Sequence, residues 1–588
     1  MSIATPGIVF LAHAFASLLV LCAFITGGRF VLIDHFGLVI PVSRLLTGIA
    51  LGIPVLLSLK LAFDEIRQRR RAATLGARLV PRVNGYLPGN LDILVKLLNN
   101  WKYGYPSDGQ TEWMDIIGPT MNLRVFWEDI IFTAEPENIK APSDFPNYEK
   151  GDKFITAMKS VLGTGVFNSD GAIFHRSMTR PFFSRDRITD FENFGRHSDD
   201  VIAQMKERFK QGYAVDFQDA ISRFTLDSAT EFLFGNDVQS LATGLPYPHH
   251  AATLNATHSS PAEDFAVAFA QSQELISQRA RIGWIWPLFE IFKDNTAKPM
   301  KVVNEFLDPI LKEAVDKQKT LPIGFEDKEA VGEAETLLDH LVKLTTDRTV
   351  LKDEILNILI AGRDTTAATL TFTVYLLATN PAALTRLREE VLTKVGSSAR
   401  PTYDNIRDMK YLRAVINETL RLFPAVPFDV RETVHETTWP SSDPNQKPLY
   451  IPAKARTAYS VFAMHRRPEL WGPDALEFDP DRFLDERVKK YLTKNPFAFL
   501  PFNAGPRICL GQQFAYNEMS FMLIRLLQNF DSFALDSEAQ PAATRPPASW
   551  AGQPGRKGTE KFWPKMHLTM YAHGGLWVRM TEVEASRS

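Results

Sequence analysis

The sequence predicts a mainly α-helical protein with small β-sheets, of the α+β class, in which a single large domain follows an N-terminal membrane anchor. Three observations support this fold class: long segments of helical periodicity, few and short strand-like runs, and an uncharged apolar run at the N-terminus. The 588 residues would fill about four domains of ~150 residues. No repeat of about 20 to 50 residues recurs, however, and single large enzyme domains also reach this length.

The membrane anchor is predicted from the start of the chain. No residue from Met1 to Gly28 is formally charged, and residues 8–25 are almost wholly apolar, close to the ~20 residues that a bilayer-spanning helix needs. The first basic residue, Arg29, follows this run, whereas a cleaved secretory signal carries basic residues before it. We therefore expect one membrane span that is retained in the protein.

A second apolar stretch, residues 45–59, lies between Arg44 and Lys60 and contains Pro54. It is short for a full span, so it is interpreted as an interfacial segment, a re-entrant segment or a marginal second span. Basic clusters accumulate on the cytoplasmic flanks of membrane helices, and one follows here: Arg67, Arg69, Arg70 and Arg71. The anchor is therefore assigned to residues 1–65, with everything after it in the cytosol.

A stretch rich in Pro and Gly follows the anchor and indicates a linker. Residues 66–113 are accordingly assigned to the linker and the entry into the domain, and residues 114–588 to the domain itself. Its predicted helical segments are 192–210, 300–319, 352–379, 381–394, 410–422 and 512–528. Its strand-like runs, such as 124–133 and 449–451, are short and scattered.

Overall charge and cysteine content exclude several classes of function. The 66 Lys and Arg residues against 68 Asp and Glu leave a net charge of −2, which gives no electrostatic case for binding nucleic acid. The two cysteines, Cys22 and Cys509, are too few and too far apart for a disulfide framework or for a four-cysteine zinc or iron–sulfur site. Any cysteine chemistry in the domain therefore falls to Cys509 alone.

The loop around Cys509, residues 502–511 and here called the cysteine loop, opens directly into a predicted helix. At a helix N-terminus, unpaired N–H groups and the helix dipole favour a thiolate. Gly505 and Gly511 flank the cysteine and let the backbone approach a flat, bulky group. Arg507 offers a planar cation to an anionic group, and Phe502 begins the loop.

This spacing, Phe-x-x-Gly-x-Arg-x-Cys-x-Gly, closely resembles the haem-binding loop of the cytochrome P450 family. The resemblance extends from about residue 120 to the C-terminus. It implies the cytochrome P450 fold, a haem-thiolate catalytic domain over residues 114–588, and haem b with Cys509 as the axial ligand of its iron. Phe502, Gly505, Arg507 and Gly511 would then contact this cofactor.

A second motif lies inside the helical segment 352–379. Gly362, Asp364 and Thr365 are poor residues for a helix interior, so helix stability did not select them. The Thr365 hydroxyl can bond the carbonyl of Ala361, four residues back, which loosens the helix and opens a groove for a small diatomic ligand. Asp364 adds a titratable group. In the family resembled, this acid–alcohol pair delivers protons during oxygen activation.

Glu418 and Arg421 are three residues apart and share one face of the segment 410–422. Taken alone, such a pair is typical of a surface ion pair. The family resembled buries this pair with a basic residue from a downstream loop, which here matches Arg482. The resemblance therefore implies a structural role for these three residues, in holding the region around the cysteine loop.

Further cofactor contacts are implied by the resemblance. His175 and Arg176 occupy the place of a helix that contacts a haem propionate, and Arg431 adds a third group. Family members usually carry a tryptophan four residues before that helix's arginine, where this chain has Ala172. Because one indole N–H donor is then missing, haem retention is expected to depend more on Arg176, Arg431 and Arg507.

These residues together imply a monooxygenase that inserts one oxygen atom of O2 into a C–H bond. No flavin or dinucleotide fingerprint appears, so the electrons must come from another protein. The resemblance implies NADPH-cytochrome P450 reductase, and a location on the endoplasmic reticulum membrane. Two rivals stay open: an oxygen-independent haem-thiolate enzyme, for which Asp364 and Thr365 would be dispensable, and a haem sensor or electron carrier.

Membrane attachment and the candidate lining residues Val426, Phe428 and Leu576 favour a lipophilic substrate that arrives from the lipid bilayer. The stretch from Leu500 to Ala515 is similar to that of fungal family members that hydroxylate n-alkanes and fatty acids at or near the terminal carbon. A fatty acid or n-alkane is therefore the expected substrate, with aromatic xenobiotics as the alternative.

Overall fold

A computed structural model describes residues 5–37, 41–140, 146–170, 173–183, 191–255, 259–320 and 335–584. Most of this chain is helical, as the periodicity predicts. The helices of eight or more residues are Pro6–Phe36, Val42–Thr74, Leu91–Tyr103, Gln110–Ile117, Asp152–Leu162, Glu192–Lys210, Phe217–Phe234, Pro261–Ile282, Ala297–Thr320, Leu337–Leu344, Arg348–Thr379, Pro381–Lys394, Lys410–Leu422 and Gln512–Asn529. Shorter helices are Pro136–Lys140, Ile173–Thr179, Tyr403–Asp408, Val461–Met464 and Pro468–Trp471.

Short strands form small sheets, in agreement with the predicted α+β class. The five-stranded sheet has the order Thr120–Asn122, Ile130–Thr133, Arg456–Ser460, Phe428–Thr433 and Tyr148–Glu149. One three-stranded sheet has the order Arg78–Leu79, Leu449–Ile451 and Thr437–Trp439, and the other Phe530–Leu535, Trp577–Glu582 and Val215–Asp216. The strands Pro564–Met566 and Met570–Ala572 pair as a hairpin.

The strand predicted over residues 124–133 is shorter in the structure. Arg124, Phe126 and Trp127 have positive φ angles of 41°, 51° and 62°, which an extended strand does not allow. A turn of 3₁₀ helix therefore occupies Val125–Trp127, and the strand begins at Ile130.

Two N-terminal helices, Pro6–Phe36 and Val42–Thr74, are long and apolar enough to cross a membrane. The first agrees with the predicted span. The second is a continuous helix of 33 residues that passes through Pro54, so the short apolar stretch at residues 45–59 belongs to a candidate span of full length. Among the described residues, the apolar window of each helix is not buried by the rest of the protein.

The structure replaces the linker predicted at residues 66–113 with folded elements. The strand Arg78–Leu79 pairs in parallel with Leu449–Ile451. The helix Leu91–Tyr103 buries Ile93 and Leu94. Pro and Gly in this stretch mark turns between elements that pack on the rest of the chain.

The helix Arg348–Thr379, here called the central helix, organises the core. It packs along Phe217–Phe234 and also contacts Lys410–Leu422 and Gln512–Asn529. Every residue from Thr366 to Leu377 is buried, because other helices cover this part of the central helix on all sides. Together with the following helix, bent away by 114°, it has the composition of a membrane span, but its place is in the domain core.

Glu418, Arg421 and Arg482 form a fully buried ion cluster, here called the glutamate–arginine cluster. Arg421 donates two parallel hydrogen bonds to Glu418, at 2.7 and 2.8 Å. Arg482 lies 3.5 Å from the same carboxylate and pairs with Asp474 at 2.9 Å. The backbone supplies the other partners, namely the carbonyls of His465, Trp471, Asp474, Ala475 and Glu477 and the N–H of Asp479. These bonds offset the cost of removing the three charges from water.

His465 connects this cluster to the cysteine loop. Arg421 donates to the His465 carbonyl at 2.8 Å, and the His465 ring Nε2 accepts the N–H of Leu500 at 3.0 Å. Burial, followed by the nearby charge of Arg421, lowers the pKa of His465 to about 3, so the ring stays neutral and can accept this bond. The cluster therefore holds the backbone two residues before the loop begins.

We expect Glu418→Gln to destabilise the domain by about 3–5 kcal/mol, because it leaves two buried arginines without their shared negative charge. Thermal or urea unfolding of the purified protein measures the loss. Glu112→Gln is the control, since Glu112 pairs with Lys96 at the surface, and it should cost less than about 1 kcal/mol. Equally small losses in the two variants would contradict a structural role for the cluster.

Candidate active site

A cavity of about 670 Å³ lies between the central helix and the cysteine loop. This volume is within the range of about 300–1,000 Å³ that is typical of ligand and cofactor pockets. The central helix contributes Ala361, Gly362, Thr365, Thr366 and Thr369 to its wall, and the cysteine loop contributes Phe502, Asn503, Arg507, Cys509, Leu510 and Gly511.

The cysteine loop is a tight turn that presents Cys509 to this cavity. The Cys509 N–H donates to the Phe502 carbonyl at 2.9 Å, which closes the loop. Gly505 forms the turn outside the cavity wall, with a φ of +61° that favours glycine. A Cβ atom added at Gly511 would meet the Phe183 ring at 3.8 Å, so the backbone leaves space on its cavity side.

Cys509 is exposed to the cavity that it borders, while the surrounding protein partly desolvates its thiol. Burial raises the pKa of its thiol above the usual value, whereas the Gly511 N–H and the charge of Arg176 act in the opposite direction. Arg176 also donates to the Ile508 carbonyl at 2.8 Å, which fixes the backbone beside the cysteine. Coordination to a metal deprotonates a thiol outright, and these contacts would then hold the thiolate in place.

Three basic side chains gather in the cavity wall: Lys150, Arg431 and Arg507. Arg431 pairs with Asp429 at 2.5 Å, and Arg507 donates to the Tyr148 carbonyl at 2.6 Å. Burial, followed by repulsion from Arg431, lowers the pKa of Arg507 to about 10 and that of Lys150 to about 7. Asp429 neutralises only part of this charge, and Arg431 Nε has no hydrogen-bond partner in the described part of the chain. The group therefore fits the anionic propionates of a haem.

The helix predicted to contact a haem propionate is present as Ile173–Thr179. Arg176 lines the cavity. His175 does not: it is buried and pairs with Glu354 of the central helix, which corrects its prediction as a cofactor contact. Ala172, where a tryptophan is expected, lies outside the described residues.

Thr365 and Asp364 face different surroundings. The Thr365 hydroxyl donates to the Ala361 carbonyl at 2.6 Å, as its position in the helix predicts, and Thr365 lines the cavity. Asp364 lies outside the cavity wall, where its carboxylate accepts from Arg363 at 3.1 Å and from Gln273 at 2.8 Å. The alcohol is therefore at the cavity surface, and the acid is held one residue behind it.

Apolar side chains make up much of the remaining wall. Val426 and Phe428 belong to it. Leu576 does not, because it is 3% exposed and packs in the main core, so its prediction as a substrate contact is corrected. The preceding hairpin supplies Met566 and Leu568 to the wall instead. Other apolar lining residues are Leu94, Leu97, Leu98, Val125, Phe126, Ile130, Phe154, Met158, Phe232 and Leu233.

Some residues of the site carried no clear signal in the sequence. Lys150 and Gln273 are single polar residues in unremarkable contexts, and only the fold brings them to the cavity wall and to Asp364. Asp429 could have been found, since it lies two residues before Arg431 on one face of a strand.

The comparisons with known proteins agree with this geometry. The family model described as Cytochrome P450 matches residues 105–555. Cytochrome P450 monooxygenase pvhE of Talaromyces variabilis is 37% identical over 70% of this chain and 76% of its own length. Cytochrome P450 52A3-A of Candida maltosa is 37% identical over 70% of this chain and 77% of its own length. Cytochrome P450 52-M1 of Starmerella bombicola is 37% identical over 69% of this chain and 76% of its own length.

The match covers most of the domain and includes the cysteine loop, the central helix and the glutamate–arginine cluster. The residues present fit a haem. The Cys509 thiol borders the cavity, Gly511 leaves space beside it, and the basic side chains in the wall can bind propionates. The chain therefore belongs to the cytochrome P450 family of haem-thiolate proteins and is an oxidoreductase of its monooxygenase type.

Proposed function

We propose that the protein hydroxylates long-chain fatty acids or n-alkanes at or near the terminal carbon. The observation that carries this proposal is the largely apolar cavity that includes Cys509 and Thr365 in its wall. The cavity also reaches the membrane anchor, since Trp284 lines it and packs on Phe10 of the first N-terminal helix, with ring centroids 6.2 Å apart. The similarity of residues 500–515 to fungal alkane and fatty-acid hydroxylases supports the same substrate class.

Haem b is the proposed cofactor. Cys509 would supply a thiolate ligand to its iron, and Lys150, Arg431 and Arg507 would bind its propionates. When bound, the haem supplies the activation of O2, in which one oxygen atom enters a C–H bond and the other leaves as water. The protein holds the cofactor, excludes water with an apolar wall and positions the substrate.

We assign proton delivery to the Thr365 Oγ1 atom, with Asp364 in support. A hydroxyl can donate one hydrogen bond and accept another. The Thr365 hydroxyl lies at the cavity surface and donates its hydrogen bond to the Ala361 carbonyl. Asp364 is one residue away and is oriented by Arg363 and Gln273. Its carboxylate can take up a proton from solvent and, as the carboxylic acid, pass it on to replace the proton that Thr365 gives up.

The proposed electron donor is NADPH-cytochrome P450 reductase, and the proposed location is the endoplasmic reticulum membrane with the catalytic domain in the cytosol. The two apolar N-terminal helices support membrane attachment. The basic residues at the end of the second helix support a cytosolic domain.

Replacement of Cys509 tests the haem-thiolate assignment. The reduced, CO-bound protein is expected to show the red-shifted Soret band of thiolate ligation, and Cys509→His should abolish it because the axial sulfur is lost. Cys22→Ala is the matched control and should leave the spectrum unchanged, since Cys22 lies in the first N-terminal helix. An unshifted band in the wild-type protein would rule out a thiolate ligand.

Replacement of Thr365 tests the proton-delivery role. Thr365→Ala should lower product formation by on the order of 10²-fold while NADPH consumption continues, because protons no longer reach the site in step with electrons. Thr371→Ala removes a similar hydroxyl bond, to the Ala367 carbonyl at 2.7 Å, in a buried turn of the same helix and should leave coupling unchanged. Full activity of Thr365→Ala would favour an oxygen-independent reaction.

Turnover with isotope-labelled substrates tests the substrate class. With the reductase and NADPH present, we expect hydroxylated product from hexadecanoic acid or n-hexadecane, with the label retained in a terminal or near-terminal alcohol. Mass spectrometry identifies the product and its position. Turnover of aromatic compounds, with none of either long-chain substrate, would overturn the proposal.

A further inference from the structure

A basic side chain lies in the cavity wall in addition to those assigned to the haem. Arg281 is in the last turn of the helix Pro261–Ile282 and lines the cavity. Its guanidinium lies over the Trp101 ring, 4.8 Å from the centroid. It donates to the Ser277 hydroxyl and, at 3.3 Å, to the His567 carbonyl. All three partners are uncharged, so they do not compensate the charge of Arg281.

The Arg281 guanidinium, half-buried in the cavity wall, lacks an acidic partner at ion-pair distance. Among the residues that the structure describes, no carboxylate forms an ion pair with it. Glu274 attracts it from a distance and instead accepts a hydrogen bond from Gln278 at 3.3 Å. Burial lowers the pKa of Arg281 to about 10, so the guanidinium remains charged at neutral pH. A cation that is partly removed from water in this way is costly unless an anion pairs with it.

The helix Pro261–Ile282 separates Arg281 from Asp364 and Thr365. Gln273, Ser277 and Arg281 are four residues apart and share one face of this helix. Gln273 bonds Asp364, next to Thr365, whereas Ser277 and Arg281 line the cavity. Eight residues of α-helix span about 12 Å. Arg281 therefore lies about 12 Å along the helix axis from Gln273, the residue that bonds Asp364.

We propose that Arg281 binds the carboxylate of a fatty-acid substrate and thereby determines which carbon lies beside Thr365 at the site of oxidation. A guanidinium can donate two parallel hydrogen bonds to a carboxylate, and the Trp101 ring shields one side of it from water. The hydrocarbon chain then follows the apolar wall toward Thr365. This inference rests on the proposed function, and an n-alkane, which has no carboxylate, would not use Arg281.

Arg456 is the competing cation in the same wall. It lies at the start of the strand Arg456–Ser460, where Glu128 and Glu432 both attract it. Its charge is therefore partly compensated by two carboxylates of the protein, whereas a single carboxylate, that of Glu274, attracts Arg281 among the described residues. The difference makes Arg281 the better site for a ligand anion and makes Arg456 the matched comparison.

The purified full-length holoenzyme is titrated with hexadecanoic acid, its methyl ester and n-hexadecane, and binding is followed by the change in haem absorption. Arg281→Met should raise the apparent Kd for the acid about tenfold or more, which corresponds to ~1.4 kcal/mol. The Kd values for the ester and the alkane should change less than about twofold. Arg281→Lys keeps the charge and should recover part of the affinity for the acid.

Product analysis gives a second readout. Arg281→Met should spread hydroxylation of hexadecanoic acid over more carbons, because the acid is no longer held at one end. The CO-difference spectrum checks that each variant folds, and Arg281→Gln carries the same test if the methionine variant does not. Equal losses for acid and ester would indicate a packing effect and would overturn the inference.

Two further outcomes separate the inference from the proposed function. A tenfold loss of affinity for the acid in Arg456→Met, with none in Arg281→Met, would assign the carboxylate to Arg456 and overturn the role of Arg281. If the wild-type enzyme hydroxylates the acid while Arg281→Met keeps the preference for acid over ester, only this inference fails. If the wild-type enzyme accepts none of the three compounds, the proposed function fails as well.

Discussion

The buried bond between Glu418 and Arg421 is the interaction on which the rest of the site depends. Two oppositely charged groups without solvent contact must satisfy every polar atom, and here backbone carbonyls from residues 465–477 do so. These hydrogen bonds hold the segment 465–477, which has little regular secondary structure, in one conformation. Through His465 it also fixes Leu500, and so the loop that carries Cys509. The buried ion pair thereby helps to position the loop that carries the Cys509 sulfur.

The cavity combines two kinds of wall. Basic groups around Arg431 and Arg507 suit a charged cofactor edge, while the apolar groups suit a hydrocarbon chain. Adjacent residues of the central helix point in different directions. Thr365 therefore faces the cavity, whereas Asp364 faces the neighbouring helix and bonds Gln273. The Asp364 carboxylate is thus kept out of the cavity although it is adjacent to Thr365 in the helix.

Local motifs could be predicted from the sequence, and tertiary contacts could not. The cysteine loop and the bond from Thr365 to Ala361 involve residues within one or two turns of each other. The charged groups around Lys150, and Glu354, which pairs with His175, are distant from these residues in the sequence. No local sequence pattern therefore predicts these contacts. The Pro and Gly residues between residues 77 and 113 do not distinguish a linker from turns between packed elements, because both residue types occur in tethers and in tight turns.

Trp284 belongs to the cavity wall and to the contact with the first N-terminal helix at the same time. A lipophilic compound that enters past this residue comes from the bilayer, where its mole fraction among lipids, and not its molarity in water, governs how often it arrives. Adding inert lipid would dilute such a compound as added buffer dilutes the substrate of a soluble enzyme. Apparent preferences among chain lengths would then combine partition into the membrane with fit to the cavity.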